Sequence, residues 1–214
     1  MGETVVAQQT LKIEDQTETN EQEVKLTKEL MTKHPLQNKW ALWFFKNDKT
    51  KTWAANLRLI TKFDSVEDFW SIYNHIQLPS KLGLGCDYSL FKDGIEPMWE
   101  DEGNRFGGRW LVNLSKSQRT SELDRLWLEV LLCLIGESFG EDSDQVNGAV
   151  VNIRPKGDKL AVWTGFADRQ ESVLKIGRQF KERLTLPPKF PIVYEKHMDT
   201  ASKTGSQTKS KFTI

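Results

Sequence analysis

A chain of 214 residues with 38% hydrophobic and 28% charged side chains is long enough for one well-buried domain with a tail and short for two. Thirty lysines and arginines balance thirty aspartates and glutamates, which excludes a histone-like or polybasic binder and leaves any attraction to nucleic acid to a local patch. No run approaches the roughly 20 apolar residues that cross a bilayer, since the longest, Leu126 to Ile135, is interrupted by Glu129.

In chain order, residues 1–32 come first. Glu3, Glu14, Asp15, Glu18, Glu21, Glu23 and Glu29 outnumber Lys12, Lys25 and Lys28 there, and no aromatic residue is present. Such a segment buries too little apolar surface to offset its ordering entropy, so it is expected to be a disordered acidic tail in front of a weakly basic domain over 33–214. It lacks the basic-then-apolar pattern of a secretory signal. With Cys86 and Cys133 the only thiols, a reducing cytosolic or nuclear setting with both of them free is expected.

From His34 the composition turns aromatic. Trp40 to Phe45 reads as a strand apolar on both faces, and Ala54 to Ile60, Asp87 to Phe91, Arg109 to Leu114, Ala149 to Ile153 and Lys159 to Trp163 are further strand candidates separated by turn-rich pieces. Three segments have helical period. Ser65-Val-Glu-Asp68 opens the first as a capping box, followed by Val66, Phe69, Trp70, Tyr73 and Ile76. Ser121-Glu-Leu-Asp124 opens the second, which runs to Gly136 or Phe139, and the third spans Arg169 to Leu184. Strands interleaved with helices but without βαβ alternation predict an α+β fold, one antiparallel sheet with helices on one face. In the second helix Leu128, Leu132 and Ile135 project away from the main apolar stripe, so that helix is either buried all round or presents an apolar docking strip, extended by Val66 and Trp70.

The three histidines lie far apart without metal-ligand spacing, and no nucleophile elbow, phosphate-gripping glycine loop or zinc cluster is present. Neither an enzyme nor a bound metal or cofactor is expected; Glu141-Asp-Ser-Asp144 lacks the closing ligands of a calcium loop. Binding is better supported. Trp99 lies in the middle of a turn-rich run and Trp53 in a polar stretch. Two indoles from two loops can clamp a flat ring, favouring a cationic one, while Glu100 accepts two parallel N–H bonds from its edge; packing into the core is the alternative for either indole alone. Arg154, Lys156 and Lys159 crowd around a tight turn, and Arg109 follows a flexible Gly107-Gly108 pair, together a cradle for a short polyphosphate.

His34-Pro-Leu-Gln-Asn-Lys-Trp-Ala-Leu-Trp-Phe-Phe45, Val66-Glu-Asp-Phe-Trp70, Phe91-Lys-Asp-Gly-Ile-Glu-Pro-Met-Trp-Glu-Asp101, Leu131-Leu-Cys-Leu-Ile-Gly-Glu137 and Lys156-Gly-Asp-Lys159 closely resemble the messenger-RNA cap-binding subunit of eukaryotic translation initiation factor 4F, the 4E family. The likeness runs from His34 to the C-terminus. It implies a single domain, a curved eight-stranded antiparallel sheet with three helices on the convex face, and the 7-methylguanosine cap in the concave one. By match to the family motifs, Trp53 and Trp99 sandwich the methylated guanine, Glu100 bonds its N1 and N2 hydrogens, Trp163 touches the methyl group, and Arg109, Arg154 and Lys159, with Lys156 as an accessory, hold the phosphates. The convex side would dock a Tyr-x4-Leu-apolar helical motif of the scaffold subunit and of competing repressors through His34, Pro35, Val66, Trp70, Leu128, Glu129, Leu132 and Gly136. Ser206 matches the regulatory phosphorylation site of the family. Pro155, Phe106 and Thr164-Gly-Phe-Ala167 depart from the common somatic form, and Leu123-Asp-Arg-Leu-Trp127 looks more like the germline paralogue. The resemblance implies a cytoplasmic translation factor, also found in the nucleus or in ribonucleoprotein granules. It binds capped mRNA and recruits it to initiation; the alternative is an interaction module of the same fold with weak cap binding that acts as a repressor.

Overall fold

Pro35–Lys46 forms β1, where Trp40, Ala41 and Leu42 are buried in succession because both faces of the strand are covered there. The computed structural model describes residues 32–201 and 210–214; the tail expected over 1–32 falls outside them but for Thr32, and so does Ser206. The chain divides into two units, Met1–Pro35 and Leu36–Ile214. In the first, His34 and Pro35 are exposed.

Seven further strands follow: β2 (Leu57–Ser65), β3 (Cys86–Lys92), β4 (Gly108–Leu114), β5 (Val146–Asn152), β6 (Asp158–Thr164), β7 (Val193–Lys196) and β8 (Phe212–Thr213). They join into one curved eight-stranded sheet in the order β2-β1-β3-β5-β6-β4-β7-β8. The pairs from β1 to β8 are antiparallel, in registers such as Phe45↔Asp87, Asn152↔Lys159 and Arg109↔Trp163. The strand expected from Ala54 begins later, at Leu57. Thr52 caps a helical turn over Trp53–Asn56 by accepting from the Ala55 N–H at 3.3 Å, and that local bond outcompetes extension. The short β7 and β8 had no pattern long enough to read.

Three longer helices cover one face: α1 (Val66–Tyr73), α2 (Leu123–Ile135) and α3 (Gln170–Arg183). The capping box of α1 forms as expected, with the Ser65 hydroxyl accepting the Asp68 N–H at 3.2 Å. The one expected at α2 does not. Ser121 ends a separate turn over Gln118–Ser121, Glu122 holds the cap position without a side-chain bond, and Asp124 is drawn away to accept the Ser80 N–H and hydroxyl at 2.8 and 2.6 Å.

Strand alternation divides the sheet between two environments. Trp110, Val112 and Leu114 of β4 enter the main core beneath the helices, where the Trp110 indole donates to the Val173 carbonyl of α3 at 2.8 Å. Leu111 faces the other way and joins Phe91, Val150, Ala161 and Trp163 in a small second cluster. That second side carries no long helix among the described residues, and it bears the candidate site. None of the described helices is long and apolar enough to cross a membrane.

Candidate functional site on the open face of the sheet

The strand registers lay the open face out in rows. One row reads Ala41, Phe91, Gly148, Trp163, Arg109, Glu195, and a second reads Phe45, Asp87, Asn152, Lys159, Asn113. Residues directly opposite across strands point to the same side. The antiparallel pairing therefore gathers Trp163, Arg109 and Lys159, read from distant stretches of sequence, on one surface.

Trp99 and Glu100 stand at its rim, both exposed, on the loop between β3 and β4. A chain of buried amides holds this loop. A bulge in the β5–β6 pairing between Val146 and Gly148 turns out Asn147, whose side chain donates to the Gly103 carbonyl at 2.7 Å and to the Asn104 side-chain oxygen at 3.0 Å. Asn104, wholly buried, donates in turn to the Glu96 and Met98 carbonyls, each at 2.9 Å. Asp101 closes the loop from within by accepting the Glu96 and Gly103 N–H groups. Nothing in the core requires Trp99; it remains 39% exposed on a loop whose backbone is fixed from both sides.

Trp53 opens the helical turn after β1 and is 49% exposed, its ring tilted against Phe45 of the second row at 5.9 Å between centroids. Core packing is thereby set aside for both indoles. Trp163 is different. It is only 7% exposed, with Phe91 edge-on at 5.4 Å and the His197 ring at 4.1 Å, and so forms part of the floor rather than a plate. His197 was not singled out from the sequence. Burial, and then the Arg109 cation, hold its pKa down at about 3, so it is a neutral ring.

The cations sit at the ends of β4, β5 and β6, and two of them are already engaged. Arg109 pairs with Glu195 of β7 at 3.0 Å, and Arg154 forks onto both oxygens of Asp87. Burial pushes the Asp87 carboxyl upward even against that guanidinium, so the pair orients Arg154 at a desolvation cost. The turn between β5 and β6 is stapled by Arg119, which forks onto Asp158 at 2.7 Å on both arms and donates to the Arg154 carbonyl at 2.8 Å. Asp158 also accepts the Arg154 N–H at 3.0 Å. Pro155 therefore sits in a turn already fixed by its neighbours. Lys156 and Lys159 extend into solvent, with no carboxylate within ion-pairing distance among the described residues. The Gly107-Gly108 pair, expected to be flexible, is instead tightly packed. A β-carbon on Gly107 would lie 1.7 Å from the Thr164 carbonyl oxygen and one on Gly108 2.4 Å from that of Glu195, so glycine serves close strand approach here. Asn104, Asn147, Arg119, Asp87 and Glu195 were missed because a lone polar residue has no pattern until the fold supplies its partner. Among the described residues no cluster could hold a metal.

On the helix side, Trp70 of α1 is exposed and braced edge-on by Phe69 and Tyr73. Leu128, Glu129 and Leu132 of α2 and Val66 are half-buried, and Gly136 is exposed. Ile135, at 8% exposure, belongs with the core and not with the strip.

Half-exposed indoles, a free-standing carboxylate and oriented guanidiniums on an antiparallel sheet define a binding protein for a flat, phosphorylated ligand. The model of the family described as eukaryotic initiation factor 4E matches residues 35–212, and the chain belongs to that family. It is 67% identical over 201 residues to human eukaryotic translation initiation factor 4E, covering 94% of this chain and 92% of that one. To human factor 4E type 1B it is 66% identical over 181 residues, covering 85% and 75%, so overall identity alone does not separate the two paralogues. Its fold matches Ascaris suum eIF4E-3 in complex with an m2,2,7G cap, with a TM-score of 0.81, 49% identity and coverage of 86% and 99%. It also matches a schistosome eIF4E complexed with m7GpppG and 4E-BP, with a TM-score of 0.79, 38% identity and coverage of 85% and 99%.

Proposed function

We propose that this chain binds the 7-methylguanosine cap of mRNA on the open face and delivers it, without chemistry, to the initiation machinery through a scaffold partner on the helix face. The observation that carries this reading is the pair of indoles, Trp53 and Trp99, left substantially exposed on two separately anchored turns. Indole faces attract a cation by about 0.5–2 kcal/mol each, and methylation at N7 is what makes guanine cationic. Glu100 accepts the N1 and N2 hydrogens, Trp163 lines the floor against the methyl group, and Arg109, Arg154, Lys156 and Lys159 take the phosphates. Val66, Trp70, Leu128, Glu129, Leu132 and Gly136 dock the Tyr-x4-Leu-apolar helix of the scaffold subunit or of a competing 4E-binding repressor; His34 and Pro35, in the first unit, are assigned to the same motif by resemblance. Ser206 is the phosphorylation site, and the working compartment is the cytoplasm.

The test is quenching of tryptophan fluorescence by 7-methyl-GTP and by GTP. Strong quenching by the methylated nucleotide alone, lost in Trp99→Ala and in Glu100→Ala, is expected. Equal response to both nucleotides overturns the proposal.

A further inference from the structure

The antiparallel registers bring one set of strand ends together: the end of β1 at Lys46, the start of β3 at Cys86, the end of β5 at Asn152 and the start of β6 at Lys159. At the β1 corner of this edge lies a cavity of about 130 Å3 lined by Phe44, Lys46, Asp48, Lys51, Asn56 and Arg58. That is roughly ten times the space one water needs. Three cations from three different segments line it against a single carboxylate, and that carboxylate is already in use: Asp48 accepts the Thr50 N–H at 3.0 Å and hydroxyl at 2.6 Å and lies 3.7 Å from Lys51. These bonds hold its pKa below the ordinary carboxylate value. Neither Lys46 nor Arg58 has a carboxylate within ion-pairing distance among the described residues.

We propose that Lys46, Lys51 and Arg58 seat a backbone phosphate of the RNA that follows the cap, an inference that rests on the cap-binding function proposed above. The cavity calls for a phosphate because it is polar, positively charged, and sized for one hydrated tetrahedral anion. The polynucleotide is favoured as its source by continuity. Arg154, Lys156 and Lys159, which take the cap phosphates in that reading, lie along the same edge. Arg154 is tied to Asp87 of β3, and β3 separates β5 from β1 by two strand spacings of about 4.8 Å each. Phe44 packs toward the main core, so Lys46 leans to the helix side of β1, and an RNA chain that leaves the cap phosphates and rounds this edge meets Lys46 and Arg58. The other carboxylates on the route, Asp87 and Asp158, are paired with Arg154 and Arg119.

The experiment compares 7-methyl-GTP with a capped, unstructured oligonucleotide several residues long, over a series of salt concentrations, in the parent chain and in the triple variant Lys46→Gln, Lys51→Gln, Arg58→Gln. The parent is expected to bind the oligonucleotide about tenfold tighter than 7-methyl-GTP, with a log–log salt slope steeper by about 0.7 for each additional phosphate seated. The triple variant, whose thermal melting confirms that it is folded, should lose both the gain and the extra slope while holding 7-methyl-GTP within about twofold of the parent. Equal affinity of the parent for both ligands overturns the inference, as does a triple variant that keeps the gain. Competition for the oligonucleotide gain by a phosphoserine peptide, but not by uncapped RNA, would assign the cavity to a protein and also overturn it. Failure of the cap-binding reading shows separately, as absent binding of 7-methyl-GTP by the parent.

Discussion

Asn104 touches no ligand in the proposed complex, yet the position of Trp99 depends on it. Its amide spends both hydrogens on the Glu96 and Met98 carbonyls and its oxygen on Asn147, all out of water. Truncation leaves those buried groups unsatisfied at about 1–3 kcal/mol each. Asn104→Ala is therefore expected to lower the melting temperature and, in protein that remains folded, to weaken 7-methyl-GTP binding more than it weakens partner docking; equal loss at both faces would contradict the staple. His197 gives a second residue-scale outcome. Its pKa is about 3 in the folded chain against an ordinary value near 6.5, so below pH 6.5 the unfolded chain takes up a proton that the folded chain refuses. Stability is then lost as pH falls from about 6.5 toward 3, by up to about 1.4 kcal/mol per pH unit. His197→Phe, which keeps a ring against Trp163, should flatten that part of the pH–stability curve in urea titrations; an unchanged curve would mean another group carries it. At this scale the sequence was legible where a residue is proposed to act by its own chemistry: Trp53, Trp99 and Glu100 stand out in it, and all three are exposed in the fold. It was silent where a residue works through a distant partner. His197 lies 34 positions from Trp163 in the chain, and only the pairing of β4 with β6 and β7 brings them together.

Helix starts show how local signals are decided by tertiary competitors. Ser65-Val-Glu-Asp68 and Ser121-Glu-Leu-Asp124 have nearly the same pattern, and only the first becomes a capping box. The difference is Ser80, which takes the Asp124 carboxylate and fastens the connection after α1 to the first turn of α2. Ser65→Ala is therefore expected to cost about 1 kcal/mol, as loss of a working cap does, whereas Ser121→Ala should be near neutral and Asp124→Ala should cost more than either. Urea unfolding of the three variants checks the order; a Ser121 effect as large as that of Ser65 would restore the second box. The period of α3 was readable because a core stripe of Val173, Ile176 and Phe180 alternates with exposed positions, whereas α2 is buried on most sides. The start of β2 was not, because Thr52 commits the chain to a turn through a single bond to Ala55. The spacing of α3 from the sheet was equally unreadable. A β-carbon on Gly177 would stand 2.4 Å from the Trp110 ring, so Gly177→Ala must push α3 off the sheet or displace the indole, at about 1–3 kcal/mol.

Across the whole molecule the sheet works as a partition. The side chains proposed for the cap leave the open face or its rim, those proposed for the partner stand on α1 and α2, and between them lies a core with Trp110, Val112, Val130 and Val162 fully buried. Such a core transmits strain only if a binding event repacks it, and the three exposed indoles stand outside it: Trp53 and Trp99 on turns, and Trp70 on the surface of α1 against Phe69 and Tyr73, while Leu128 and Leu132 touch only its margin. Distant sites without shared partners add to within a few tenths of a kcal/mol. Trp70→Ala should thus weaken a Tyr-x4-Leu-apolar helical peptide by at least about tenfold, the loss typical of a central aromatic anchor, while leaving 7-methyl-GTP affinity within about twofold of the parent. The reciprocal variant, Trp99→Ala, should abolish nucleotide binding and leave the peptide titration unmoved. Were the peptide to tighten nucleotide binding severalfold in the parent chain, with that gain lost in Trp70→Ala, the core would have two packings instead of one. The first place to look for the second packing would be the small apolar cavity that Phe69, Ile72 and Tyr73 of α1 share with Leu90 of β3 and Leu131 of α2, because space there lets α1 shift against the sheet.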